Sequence, residues 1–94
     1  MGHDGPLPLS RQRSMKILVA DDDAVHRCVL ASMIRKLGHE VMEAPDGDSA
    51  WRILSREPFS VVISDWMMPI VSGLELTRRI RAANFSQYVY TILC

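Results

Sequence analysis

From Met15 onward, short apolar runs alternate with longer stretches in which apolar residues return every three or four positions. The runs Lys16–Ala20, Glu40–Glu43, Ser60–Ser64 and Tyr88–Leu93 read as strands. The first and third are apolar on both faces, the pattern of central strands in a parallel sheet. The segments between them have helical period. Over Ala24 to Leu37, the residues Val25, Val29, Met33 and Leu37 fall four apart and predict one apolar helix face, with Gly38 as the terminating residue. A second helix is predicted from Gly47 to Arg56, with Asp46 as N-cap, Ala50, Trp51 and Leu54 facing inward, and Pro58 beyond its end. A third begins at Ser72, where Ser72-Gly73-Leu74-Glu75 has capping-box spacing and Leu76, Ile80 and Ala83 supply the buried stripe.

Strands and helices in this alternation predict an α/β fold with a doubly wound parallel sheet. Right-handed crossovers then put the loops that follow the strands along one edge, where ligands bind in such folds. Residues 1–14 show prolines and glycines without any period and read as a flexible N-terminal arm; residues 15–94 read as a single domain.

The chemistry is concentrated at that edge. Asp21, Asp22 and Asp23 follow the first strand and Asp65 follows the third, so neighbouring strands would bring these carboxylates together. Like charges packed closely are costly unless a cation offsets them. Hard oxygen ligands with open positions suit Mg²⁺, which commonly bridges carboxylates to phosphoryl oxygens. Aspartate is also a frequent cap and turn residue, and that simpler reading is preferred for Asp23.

Composition narrows the field. Eleven basic residues balance eleven acidic ones, so no overall field draws the chain to nucleic acid or an anionic membrane. The longest apolar runs, such as Ile17 to Ala20 and Val61 to Ile63, are far short of a membrane span, and no signal-peptide core is present, which together suggest a cytoplasmic protein. Cys28 and Cys94 lack metal or redox spacing and read as small hydrophobes, Cys28 on the apolar stripe of the first helix. His26 reads as an exposed residue of the first helical turn rather than a ligand, and His3 and His39 have no evident partner. Arg78, Arg79 and Arg81 read as a solvated helix face, and the absence of a glycine-rich loop after the first strand argues against dinucleotide binding.

Three blocks carry a family resemblance: Lys16-Ile17-Leu18-Val19-Ala20-Asp21-Asp22-Asp23, Val61-Val62-Ile63-Ser64-Asp65-Trp66-Met67-Met68-Pro69, and Gly73-Leu74-Glu75-Leu76. Together they resemble the receiver domain of bacterial two-component response regulators, from about Met15 to Cys94. The resemblance implies a flavodoxin-like receiver fold lacking its fifth strand and last helices. It also implies Asp65 as phosphoacceptor, Asp21 and Asp22 as Mg²⁺ ligands, a metal-binding backbone carbonyl at Met67, and a histidine kinase or phosphotransfer protein as partner. Trp66 would flank the site. Receivers also use a Ser or Thr after the fourth strand and a Lys after the fifth; Thr91 lies inside the fourth predicted strand and does not match, and no lysine follows. Tyr88-Val89-Tyr90 is similar to a segment of receivers attached to cyclic-dinucleotide output domains. An uncovered fourth strand predicts self-association, by strand pairing or by exchange of an element such as the N-terminal arm.

Two other functions fit parts of the sequence. The same fold could serve as a binding or dimerisation module that is never phosphorylated. Asp21-Asp22-Asp23-Ala24-Val25 also satisfies the Asp-x-Asp-x-Val pattern of haloacid dehalogenase-type phosphatases, with Asp21 as nucleophile, although Asp65-x-x-Met-Pro fits that family badly.

Overall fold

The structure is a computed structural model that describes residues 14–94. The proposed arm therefore falls outside the described residues except for Ser14, as does His3. The elements run β1 (Lys16–Ala20), α1 (Ala24–Lys36), β2 (Glu40–Ala44), α2 (Gly47–Leu54), β3 (Val61–Ser64), α3 (Gly73–Ala82) and β4 (Tyr90–Leu93). The strands form one parallel sheet in the order β2-β1-β3-β4. This is the doubly wound α/β arrangement expected from the sequence. Strand and helix ends differ from the predicted ones by one or two residues, the usual scatter of fraying termini.

Alternation along the strands divides the core between two faces. Leu18, Ala20 and Val62 pack with Ala50 and Leu54 of α2 and Leu76 and Ile80 of α3. Ile17 and Val19 point the other way, against Ala31 and Ile34 of α1. Phe59, just before β3, plugs the first face and is only 1% exposed.

The helix caps explain where α2 and α3 start. The Asp46 carboxylate accepts the Ser49 N–H at 2.7 Å, and Ser72 Oγ accepts the Glu75 N–H at 3.1 Å. Only this half of the predicted capping box forms. The Glu75 carboxylate turns outward to Arg78 and Arg79 instead of back to Ser72.

The first helix corrects the sequence reading. Val25, Val29, Met33 and Leu37 are exposed, and the buried residues of α1 are Ala31 and Ile34, with Leu30 packed beside them. Steps of four residues overshoot the helical repeat by about 40° each, so a four-spaced line winds around the helix rather than along one face. The face actually seated is Arg27, Ala31, Ile34 and Gly38, none of them exposed, and the small Ala31 permits close approach to the sheet. Cys28 is likewise exposed, as is Cys94, and neither thiol acts as a core hydrophobe. Gly38, with φ of 96°, ends α1 as expected, in a conformation that glycine adopts without penalty.

Candidate functional site

Register places the acids. Ala20 of β1 stands opposite Ser64 of β3, so Asp21 and Asp65 leave the two central strands at the same height. The Asp65 N–H donates to the Ala20 carbonyl at 2.8 Å and the Asp21 N–H to the Ala44 carbonyl at 3.1 Å, which extends the ladder by one step under the carboxylates. Carboxylate oxygens of Asp21, Asp22 and Asp65 lie within 4.8 Å of one another. Asp21 is buried, Asp65 half-buried and Asp22 exposed, so the cluster opens to solvent on one side.

Asp21 is held from several directions. Its Oδ1 accepts the Asp23 N–H at 2.9 Å, its Oδ2 contacts His26 Nδ1, and its backbone carbonyl accepts from Arg27 Nη1 at 2.7 Å. His26 is thus exposed, as the sequence suggests, yet paired with the buried acid. The hydrogen bond to Asp21, then the charges of Asp21, Asp23 and Asp65, raise the imidazole pKa above its usual 6.5. Asp23 stands apart from the cluster. Its carboxylate caps α1 by accepting the N–H groups of Val25 and His26, each at 3.0 Å, which leaves it poorly disposed for the second acid of the phosphatase pattern.

The turn after Asp65 is fixed by backbone contacts. The Trp66 N–H reaches the Cys94 carbonyl at 3.1 Å, and the Gly73 N–H returns to the Trp66 carbonyl at 3.0 Å. A Cβ on Gly73 would lie 2.2 Å from the Asp65 carbonyl oxygen, so only glycine allows α3 to start this close to the acid. Between them, Ile70 adopts φ of 70° while the Val71 N–H closes on the Pro69 carbonyl at 2.8 Å. A β-branched residue in this left-handed region carries strain on the order of 1–3 kcal/mol. Met68 is buried under the turn, while Met67 and Trp66 face outward.

The donor set consists of hard carboxylate oxygens with an open side, which matches Mg²⁺ rather than a thiolate- or imidazole-seeking ion. Three acids at this separation also need a positive charge near them. Thr91 pairs with Val62 within β4, and its position gives no hydroxyl beside Asp65. A shallow cleft of about 200 Å³ between Leu54, Phe59, Phe85 and Val89 lies near the N-terminal ends of β3 and β4, remote from the acids.

The contact between His26 and Asp21 and the requirement for Gly73 were not read from the sequence. A histidine in the first helical turn behind an acidic strand end was the available signal for the first. Nothing in the spacing announced the second.

Comparison with known proteins agrees with this geometry. A family model described as the response regulator receiver domain matches residues 17–93. The chain is 43% identical over 70 residues to a chemotaxis protein CheY homolog of Campylobacter jejuni, a match covering 72% of this chain and 54% of that protein. It thus spans about half the length of such curated relatives. The receiver domain of a sensor histidine kinase from Pseudomonas aeruginosa, solved with a magnesium ion in its active site cleft, superposes with a TM-score of 0.79 at 31% identity, covering 85% of this chain and 66% of that one. Response regulator TrrA from Thermotoga maritima, solved with Mg²⁺ and BeF, gives a TM-score of 0.77 at 32% identity over 83% of this chain and 66% of its own.

Proposed function

The chain belongs to the response regulator receiver family, and from that premise we propose that Asp65 accepts a phosphoryl group from a phosphohistidine on a histidine kinase or phosphotransfer protein. Asp21, Asp22, Asp65 and the Met67 carbonyl would hold Mg²⁺. The observation that carries this reading is the convergence of the Asp21, Asp22 and Asp65 carboxylates within 4.8 Å at the ends of adjacent strands. The Mg²⁺ and BeF in a solved relative that is 32% identical add support.

In this reading a carboxylate oxygen of Asp65 attacks phosphorus in line, the phosphorus–nitrogen bond of the donor breaks, and the departing imidazole keeps the electron pair and takes up a proton. Held by Asp21, Asp22, Asp65 and the Met67 carbonyl, Mg²⁺ would supply electrostatic stabilisation to the transferring phosphoryl group. The protein's own contribution is position. Asp65 is held by the ladder bond to Ala20 and by the turn closing on Gly73, while its half-buried side chain stays reachable from solvent. Treatment with a small phosphodonor and Mg²⁺, followed by mass-spectrometric location of the acyl phosphate, tests the assignment. Label on Asp65, lost in Asp65→Asn, is expected; label on Asp21 would instead support the phosphatase alternative.

A second reading, self-association, is favoured by the outer edge of β4, where Tyr90 and Ile92 are exposed on a strand that, among the described residues, pairs only with β3. Sedimentation should then show a concentration-dependent shift to dimers, and monomers alone at high concentration would remove the idea. The exchange route through the N-terminal arm concerns residues outside those described.

A further inference from the structure

The seated face of α1 begins with a charge, since Arg27 precedes Ala31 and Ile34 on it. A guanidinium taken out of water needs partners. The Arg27 side chain is 18% exposed, and its fork is used in two directions: Nε donates to Glu43 Oε1 at 3.3 Å and Nη1 to the Asp21 backbone carbonyl at 2.7 Å. Glu43 is braced in turn. Its other oxygen accepts from Arg35 Nη1 at 3.4 Å, while Arg35 Nη2 donates to the Val41 carbonyl at 3.1 Å. Register sets Glu43 beside Val19, so the strap runs from β2 through α1 to the end of β1.

The carbonyl that Arg27 holds lies just past the ladder bond from the Asp21 N–H to Ala44. It belongs to the peptide unit that joins Asp21 to Asp22. Because that unit is planar, fixing the direction of its carbonyl fixes the bond on which Asp22 hangs. Asp21 has other restraints, through Ala44 and the Asp23 N–H. Asp22 does not. Its carboxylate is exposed and accepts no hydrogen bond among the described residues, yet one of its oxygens stays within 4.8 Å of ligand oxygens of Asp21 and Asp65. Backbone direction is what keeps it there. We infer that Arg27 is a positioning residue for Asp22: its guanidinium, steadied by Glu43, locks the Asp21–Asp22 peptide plane and keeps the third carboxylate in reach of a cation held by the other two. This rests on the metal-site reading of Asp21, Asp22 and Asp65. Lysine cannot take over the task, because one ammonium does not match the fixed fork that spans a carboxylate and a carbonyl.

The test titrates Mg²⁺ into the full chain, into Arg27→Lys, into Asp22→Asn and into the double variant, followed through the fluorescence of Trp66, which adjoins Asp65 in sequence. Arg27→Lys keeps the charge, so a loss reports geometry. Mg²⁺ affinity should fall about tenfold in Arg27→Lys, an effect typical of residues that orient a metal ligand. In the Asp22→Asn background, where Asp21 and Asp65 leave a weaker site, the same change should lower affinity by no more than about twofold. A general loosening of α1 would instead act alike in both backgrounds. Glu43→Gln leaves Arg27 in place and weakens its brace; it should give a smaller loss with the same dependence on Asp22, and it carries the test if Arg27→Lys does not fold. Equal losses with and without the Asp22 carboxylate, or no loss from either change in the strap, would overturn the role of Arg27, while saturable binding that disappears in Asp65→Asn would leave the metal site intact. No saturable response in the unsubstituted chain would count against the site itself, and with it this inference.

Discussion

On one face of the sheet, α2 and α3 lie over Leu18, Ala20 and Val62, and Phe59, Met68 and Val89 close the margins. On the other, α1 covers Ile17 and Val19, while Val61 and Ile63 stay half-buried and Tyr90 and Ile92 are exposed. Register puts Tyr90 beside Val61 and Ile92 beside Ile63, so these four share the less covered face. The comparison separates two tasks. The closed face supplies most of the buried apolar surface and anchors the turn after Asp65 through Met68 and Val71. The open face carries α1, which Asp23 caps and whose first turn sets His26 against Asp21.

The sharpest way to break the contrast is to empty each face in turn. Phe59→Ala, in the closed core, should cost about 3–5 kcal/mol in denaturant unfolding. Ile63→Ala, on the open face, should cost well under half of that, because a partly hydrated side chain forfeits less on truncation. Equal losses would mean that the open face is covered in solution.

Gly73→Ala follows in size, at about 1–3 kcal/mol, because the new Cβ must push against the Asp65 carbonyl oxygen and come within 3.0 Å of Leu93. The same push moves the turn that aims Asp65. Labelling by a small phosphodonor should therefore drop more than the lost stability explains, under conditions where the variant remains folded. A variant that folds less well yet labels at the normal rate would show that closed-face packing and acid placement are separable.

Much of this was legible beforehand. The strand pattern gave the parallel sheet because β-branched runs ended abruptly in acids, and short polar side chains before helical segments marked the caps at Asp23, Asp46 and Ser72. The acid cluster followed from strand adjacency, which right-handed crossovers make predictable. The seat of α1 did not follow. Apolar residues occur on more than one side of that helix, and the side that meets the sheet uses Ala31 and Ile34, a small pair with a weaker signal than Val25, Val29, Met33 and Leu37. The Gly73 requirement depends on the approach of two backbones, which no residue pattern encodes.

Asp46→Ala sharpens the same contrast on a smaller scale, since it removes the cap of α2 on the closed face, and should cost about 1 kcal/mol. Its pH dependence has a definite sign. The Ser49 backbone N–H, first among the causes, holds the Asp46 carboxyl below its usual 3.8 in the folded chain. The stabilisation is therefore present above that value and disappears as pH falls through the lower folded-state pKa. Asp46→Asn should keep much of the capping and lose the acid dependence, read from unfolding midpoints between neutral and strongly acidic pH.

The smallest effect is the most diagnostic for α1. If Val29 and Met33 were seated on the sheet, replacing either by a polar residue would cost several kcal/mol, the cost of emptying a core position and burying a hydroxyl. Both are more than half exposed, at 53% and 58%. Val29→Ser and Met33→Ser should accordingly change stability by no more than about 0.5 kcal/mol, with part of that from helix propensity. Ile34→Ser on the same helix should destabilise strongly, because Ile34 is buried against Ile17 and Val19. Measuring the three together fixes the rotation of α1 without a further structure: a large loss at Met33 with tolerance at Ile34 would rotate the helix to the face its four-residue spacing suggests, and would carry His26 away from Asp21 with it.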